Sequence, residues 1–199
     1  MSNLDLGPAA RQLADLVARV TDGELDRPTP CPAYTVGDLV EHAGGLALAF
    51  AAAASKDFGP RTEHAGSGDA SRLEPGWRTR IPRDLAALAG AWAEPGAWTG
   101  MTRIAGGYAP AKVVGLTAAD ELVVHGWDLA VATGQPYAGD AAALEAARQF
   151  LGMFASPDAP AGPDVPFGPV RPVADDAPPL HRVLALAGRD PFWLGPAGS

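Results

Sequence analysis

The 199-residue chain is predicted to be all-α, a helical bundle with a short C-terminal extension, on three observations. Apolar residues recur at three- and four-residue spacing through most of the chain, the repeat of a helix with one buried face. Clusters of Pro, Gly, Thr and Asp punctuate these segments at helix-length intervals. No internal repeat and no long heptad run is visible, so the helices are expected to pack on one another rather than form a coiled coil or a solenoid.

The first helix is expected over roughly Pro8 to Val20, with Leu13, Leu16, Val17 and Val20 on one side, and Thr21-Asp22-Gly23 ends it. A turn-rich connection from Arg27 to Tyr34 leads to Thr35, an N-cap for a second helix that runs to about Ser55. Lys56 to Trp77, rich in Gly, Ser, Asp and Arg, reads as a loop. Pro82 suits the first turn of a third helix that Glu94-Pro95-Gly96 terminates, and Gly100 to Tyr108 connects onward. Pro110 opens a fourth helix to about Ala132, closed by Thr133-Gly134. A fifth covers about Asp140 to Phe154. Ser156 to Pro179 is too rich in Pro and Gly to propagate a helix, with Phe167 to Val170 a candidate extended piece, and Leu180 to Leu186 forms a short last helix closed by Gly188 and Pro191. Residues 1–155 are thus assigned to the bundle and 156–199 to an extension whose helix packs on it.

Composition narrows the function. A net charge of −8, from 15 Lys and Arg against 23 Asp and Glu, leaves no basic stripe to neutralise phosphates, so a nucleic-acid partner is not expected. The start lacks the features of a secretory signal, Ala-rich runs such as Gly44 to Ala54 are too short to cross a bilayer, and Cys31 alone cannot form an intrachain disulfide. A cytoplasmic protein with no membrane partner is the expectation.

The chemistry concentrates at Glu121 and His125, four residues apart in the fourth helix and therefore one turn apart on one face. Together they can hold one divalent metal ion, and His42, two turns into the second helix, is the best third ligand. Two imidazoles and one carboxylate form a set typical of catalytic zinc or non-haem iron, because coordination positions stay open. The plainer alternative is a surface ion pair; the apolar neighbours Leu122, Val123, Val124 and Trp127 argue for burial, where an uncompensated carboxylate is costly. Asp128, three residues after His125, is either an acceptor for the ring N–H of that ligand or a surface carboxylate. Asp38 reads as a first-turn acid placed by the helix dipole, Cys31 as a small packed hydrophobe, and Tyr34, Trp127 and Trp193 as core or bundle-edge aromatics. His64 and His181 have no imidazole companion and are expected to face solvent.

At these residues the chain resembles a known family. Thr29-Pro30-Cys31-Pro32-Ala33-Tyr34-Thr35 through His42, and Glu121-Leu122-Val123-Val124-His125-Gly126-Trp127-Asp128, resemble the two signatures of the mycothiol-dependent maleylpyruvate isomerase N-terminal domain, within the DinB-like superfamily of metal-binding four-helix bundles. The closing Gly188-Arg189-Asp190-Pro191 resembles the end of an uncharacterised actinobacterial-type subgroup. The resemblance implies a DinB-like four-helix bundle in which His42, Glu121 and His125 hold a divalent metal, usually zinc, with nickel or iron as alternatives. It further implies a low-molecular-weight thiol such as mycothiol as cosubstrate, a small electrophilic substrate, and an S-transferase or isomerase reaction; a homodimer is compatible with it. Two departures stand out. Tyr34 occupies a position where the signature usually carries Trp, and the isomerase has a larger C-terminal domain, which points away from maleylpyruvate isomerisation itself. Two other functions fit the same residues: a hydrolase or lyase using activated water with Glu41 or Asp128 as base, and a metal-free small-molecule-binding bundle.

Overall fold

Thr35 begins the second helix by a reciprocal exchange. Its hydroxyl accepts the Asp38 amide at 3.2 Å while the Asp38 carboxylate accepts the Thr35 amide at 3.0 Å, a capping box that satisfies two otherwise orphaned donors. In the computed structural model this helix, α2, spans Val36–Ser55 and stops where Lys56 turns left-handed. The structure describes residues 4–63, 66–156, 158 and 168–195.

The other bundle helices are α1 (Gly7–Arg19), α3 (Trp77–Ala93) and α4 (Ala111–Ala132). α3 packs on both α1 and α2, and α4 does the same from the other side, so the four alternate around one core. That closed ring is an all-α, DinB-like bundle, as the sequence predicts. α5 (Ala141–Leu151) covers α4, and α6 (Pro179–Leu186) packs on α5. α4 is therefore enclosed on nearly all sides, which is why its sequence is apolar almost all round. The length and hydropathy of α2 would also suit a membrane span, but 67% of that window is buried inside the fold, so a bundle core accounts for its apolarity.

Three local expectations need correction. α3 starts at Trp77, not Pro82, and Pro82 lies inside it. The cost of an internal proline, about 3 kcal/mol, is offset because the added turn buries Trp77 and Ile81 and lets Arg78 reach the Val20 carbonyl at 2.7 Å. The connection after α3 is an antiparallel hairpin of β1 (Met101–Ile104) and β2 (Gly107–Pro110), with Ile104 paired to Gly107. Its two-residue loop, Ala105-Gly106, has positive φ at both positions, as a primed turn requires. Finally, α5 begins after Asp140, whose side chain caps it by accepting two amides, and ends at Leu151, before Phe154. Phe167 and His64 lie outside the described residues, and 168–170 is irregular.

The expected loop after α2 is a strap tied to the N-terminal half of that helix. Asp38 accepts the Ala70 amide at 2.8 Å, and Glu41 accepts the Asp69 amide at 3.2 Å and both Nε and a terminal nitrogen of Arg72. Gly68 fits beneath it only because it lacks a side chain, since a Cβ there would run into the Asp38 carbonyl. The strap thus passes beside His42.

Candidate metal centre

α2 carries His42 and α4 carries Glu121 and His125, and the packing of these two helices brings the three together. Glu121 Oε2 lies 3.1 Å from His125 Nε2 and 3.7 Å from His42 Nε2. One donor atom from each residue falls within 4.8 Å of the other two. Donors about 2.0–2.2 Å from a tetrahedral zinc stand roughly 3.3–3.5 Å apart, so a cation needs only small side-chain adjustments to sit among them. The two imidazoles meet edge to face with centroids 5.0 Å apart. Glu121 keeps about a quarter of its side chain exposed while His42 and His125 keep about a tenth, so the carboxylate is the most accessible member of the group.

Behind the triad runs a buried chain of charges. His125 Nδ1 lies 3.1 Å from Asp128 Oδ2, and the Arg189 guanidinium, from the segment after α6, grips both oxygens of Asp128 at 3.1–3.3 Å. Asp128 is fully buried and Arg189 nearly so. An acceptor at Nδ1 places the ring proton there and leaves the Nε2 lone pair for a metal, the usual arrangement around a ligand histidine.

Electrostatics follow from this layout. Burial works against ionisation at Glu121, but the hydrogen bonds and charges of His125 and His42 outweigh it and hold the carboxyl well below the ordinary range. Burial likewise opposes the charge on His125, yet Asp128 and Glu121 prevail and push it up to about 10. Without a cation, the proton on His125 therefore binds the cluster together, and a metal must displace it. Asp120, adjacent to Glu121 in sequence, goes the opposite way: burial raises its carboxyl well above the usual value, and its Oδ1 has no hydrogen-bond partner. Two neighbouring acids are thus shifted in opposite directions by their surroundings.

The remaining candidates are placed plainly. Asp38 is the capping acid of α2. Glu41 is occupied by the strap and Asp128 by Arg189 and His125, so neither is a free base for activating water. Cys31 is buried, as expected, but the fold brings Arg189 within electrostatic reach of it, a neighbour absent from its local sequence. His181 is partly buried and meets Phe192 edge to face at 5.4 Å rather than standing free in solvent. Tyr34 is not simply a bundle-edge aromatic, because its ring lies 5.0 Å from that of His42 and 6.5 Å from that of His125. Arg189 is the residue that site reasoning missed; a single basic residue between Gly188 and Asp190-Pro191, just past an apolar helix, was the available signal.

An all-α bundle with an inward-facing His, Glu and His set on two of its helices defines the class as a metal-associated, DinB-like domain. The model of the mycothiol maleylpyruvate isomerase N-terminal domain matches residues 6–130, and the chain belongs to that family. Two proteins of Mycobacterium tuberculosis, one from strain CDC 1551 and one from H37Rv and both named only as uncharacterized, are 33% identical to it over 187 residues, covering 88% of this chain and 91% of theirs. No solved structure matches the chain.

Proposed function

We propose that this chain is a metal-dependent enzyme, with zinc as the working metal, that takes a low-molecular-weight thiol such as mycothiol and directs its sulfur to a small electrophilic substrate by S-transfer or thiol-assisted isomerisation. The observation that carries this reading is the convergence of His42, Glu121 and His125, with Glu121 partly exposed, backed by the Asp128–Arg189 pair. A metal held by two neutral imidazoles and one carboxylate supplies net positive charge that favours a thiolate over a thiol near neutral pH. The protein's own residues do the rest. Asp128 holds the His125 proton on Nδ1, Arg189 keeps Asp128 ionised, and the buried faces of α2 and α4 keep both imidazoles largely out of water. The engagement of Glu41 and Asp128 argues against a water-activating reading in which either acts as the base.

Elemental analysis and kinetics test the proposal together. Protein purified without chelators is expected to carry about one zinc per chain, and His125→Ala to lose most of it. Turnover of an electrophile panel is expected to require added thiol, to vanish on chelation and to return with zinc. Metal-replete protein whose turnover ignores thiols would sink the thiol reading, and metal-free protein indistinguishable from His42→Ala would sink the metal reading as well.

A further inference from the structure

Tyr34 packs its ring against both imidazoles of the triad, and three observations define its role. Its ring caps the two imidazoles, 5.0 Å from His42 and 6.5 Å from His125, and it is half-buried. Its phenol lies beside the backbone of Gly68 in the strap and within electrostatic reach of Glu121. The carboxylates nearest to it are already engaged: Asp38 by Thr35 and Ala70, Glu41 by Arg72 and Asp69, and Glu121 by the imidazoles. Among the described residues no acceptor stands within hydrogen-bond distance of the Tyr34 hydroxyl.

We infer that Tyr34 donates its hydroxyl proton in a hydrogen bond to the sulfur of a thiolate seated at the His42–Glu121–His125 triad, making it a thiol-binding residue. The inference rests on the thiol reading proposed above and adds a second stabiliser of the negative sulfur. No bond between heavy atoms forms or breaks in this step: the thiol loses its S–H proton to bulk water, and the phenol keeps its own while sharing it with the sulfur. Hydrogen bonds to a charged partner are the strong ones, so the contribution to thiol affinity is about tenfold or more.

The test uses full-length protein loaded with Co²⁺ in place of zinc, and compares wild type with Tyr34→Phe. 2-Mercaptoethanol is titrated while the sulfur-to-cobalt charge-transfer band is followed, and imidazole, which offers no acceptor once bound through its other nitrogen, is titrated as the control. Expected is binding of 2-mercaptoethanol weakened about tenfold in Tyr34→Phe, with imidazole affinity and cobalt stoichiometry unchanged. Equal thiol affinity in the two proteins overturns the role of Tyr34 while leaving the thiol reading intact. Parallel loss of thiol and imidazole binding, or loss of cobalt, makes Tyr34 a merely structural residue and also overturns it. A wild-type protein that holds cobalt and binds no thiol removes the underlying reading, and this inference with it.

Discussion

His42 and His125 turn the same nitrogen toward the same carboxylate, yet they are held by opposite means. The outer nitrogen of His125 is braced by Asp128, which is itself gripped by Arg189. The outer nitrogen of His42 is buried with no hydrogen-bond partner among the described residues, and its ring is placed by packing against Tyr34 and His125. The difference follows from position. α4 is enclosed by the bundle and α5, so charges on it must be compensated inside the protein, whereas the relevant half of α2 lies under a polar strap near the surface. Electrostatic bracing has been concentrated on one imidazole, and the other is left to shape.

The sharpest way to break this contrast is to remove the brace. Arg189→Ala leaves Asp128 buried beside His125 alone, and the loss of one partner from a buried pair is expected to cost about 3–5 kcal/mol in urea unfolding. Metal affinity, read by competition with a chromophoric chelator, is expected to fall about 10–100-fold. In the double variant Asp128→Leu/Arg189→Met much of the stability is expected to return while metal affinity stays low, because no charge is then stranded but the Nδ1 acceptor is still gone. Wild-type stability in Arg189→Ala would show that the chain of charges holds nothing.

A middle-sized effect concerns pH. His125 is raised in the folded protein from its ordinary value to about 10, so its contribution is fully present below about 6.5 and is lost as pH climbs through 10. Metal-free protein is therefore expected to lose thermal stability between pH 6.5 and 10, and zinc affinity to rise over the same interval as the competing proton leaves. Asp120, raised by burial, adds a loss of the same sign, and an Asp120→Asn background separates the two. A melting temperature that stays flat across this window would contradict the protonated cluster.

The smallest effects lie in the strap beside His42, where two glycines give opposite expectations. A Cβ on Gly68 would strike the Asp38 carbonyl and crowd Tyr34, so Gly68→Ala is expected to cost about 1–3 kcal/mol. A Cβ on Gly66 would sit 3.7 Å from His42 Nδ1, an ordinary contact, so Gly66→Ala is expected to stay within about 0.5 kcal/mol of wild type. Melting curves of the two variants side by side check whether the strap is fitted to α2 at Gly68 in particular.

How far the sequence can be read depends on whether a feature is local. The Thr35 cap, the spacing of Glu121 and His125 and the end of α4 at Thr133-Gly134 are all set within a few residues, and each is found where the pattern places it. The hairpin escaped because Ala105-Gly106 lacks the Asn or Asp that ordinarily marks a primed turn. The start of α3 escaped because burial of Trp77 and Ile81 overrides what Pro82 signals on its own. The Arg189 contact with Asp128 joins residues 61 apart and has no local trace beyond an isolated charge.

The sequence alone thus determined the class of fold, the identities of three convergent side chains and the family to which they point, because helical periodicity, caps and short ligand spacings are encoded in neighbouring residues. Only the tertiary structure decided which imidazole is braced, which acids are occupied, and that Tyr34 packs against both imidazoles. Those outcomes depend on how α2, α4 and the segment after α6 pack, and on which charges that packing removes from water.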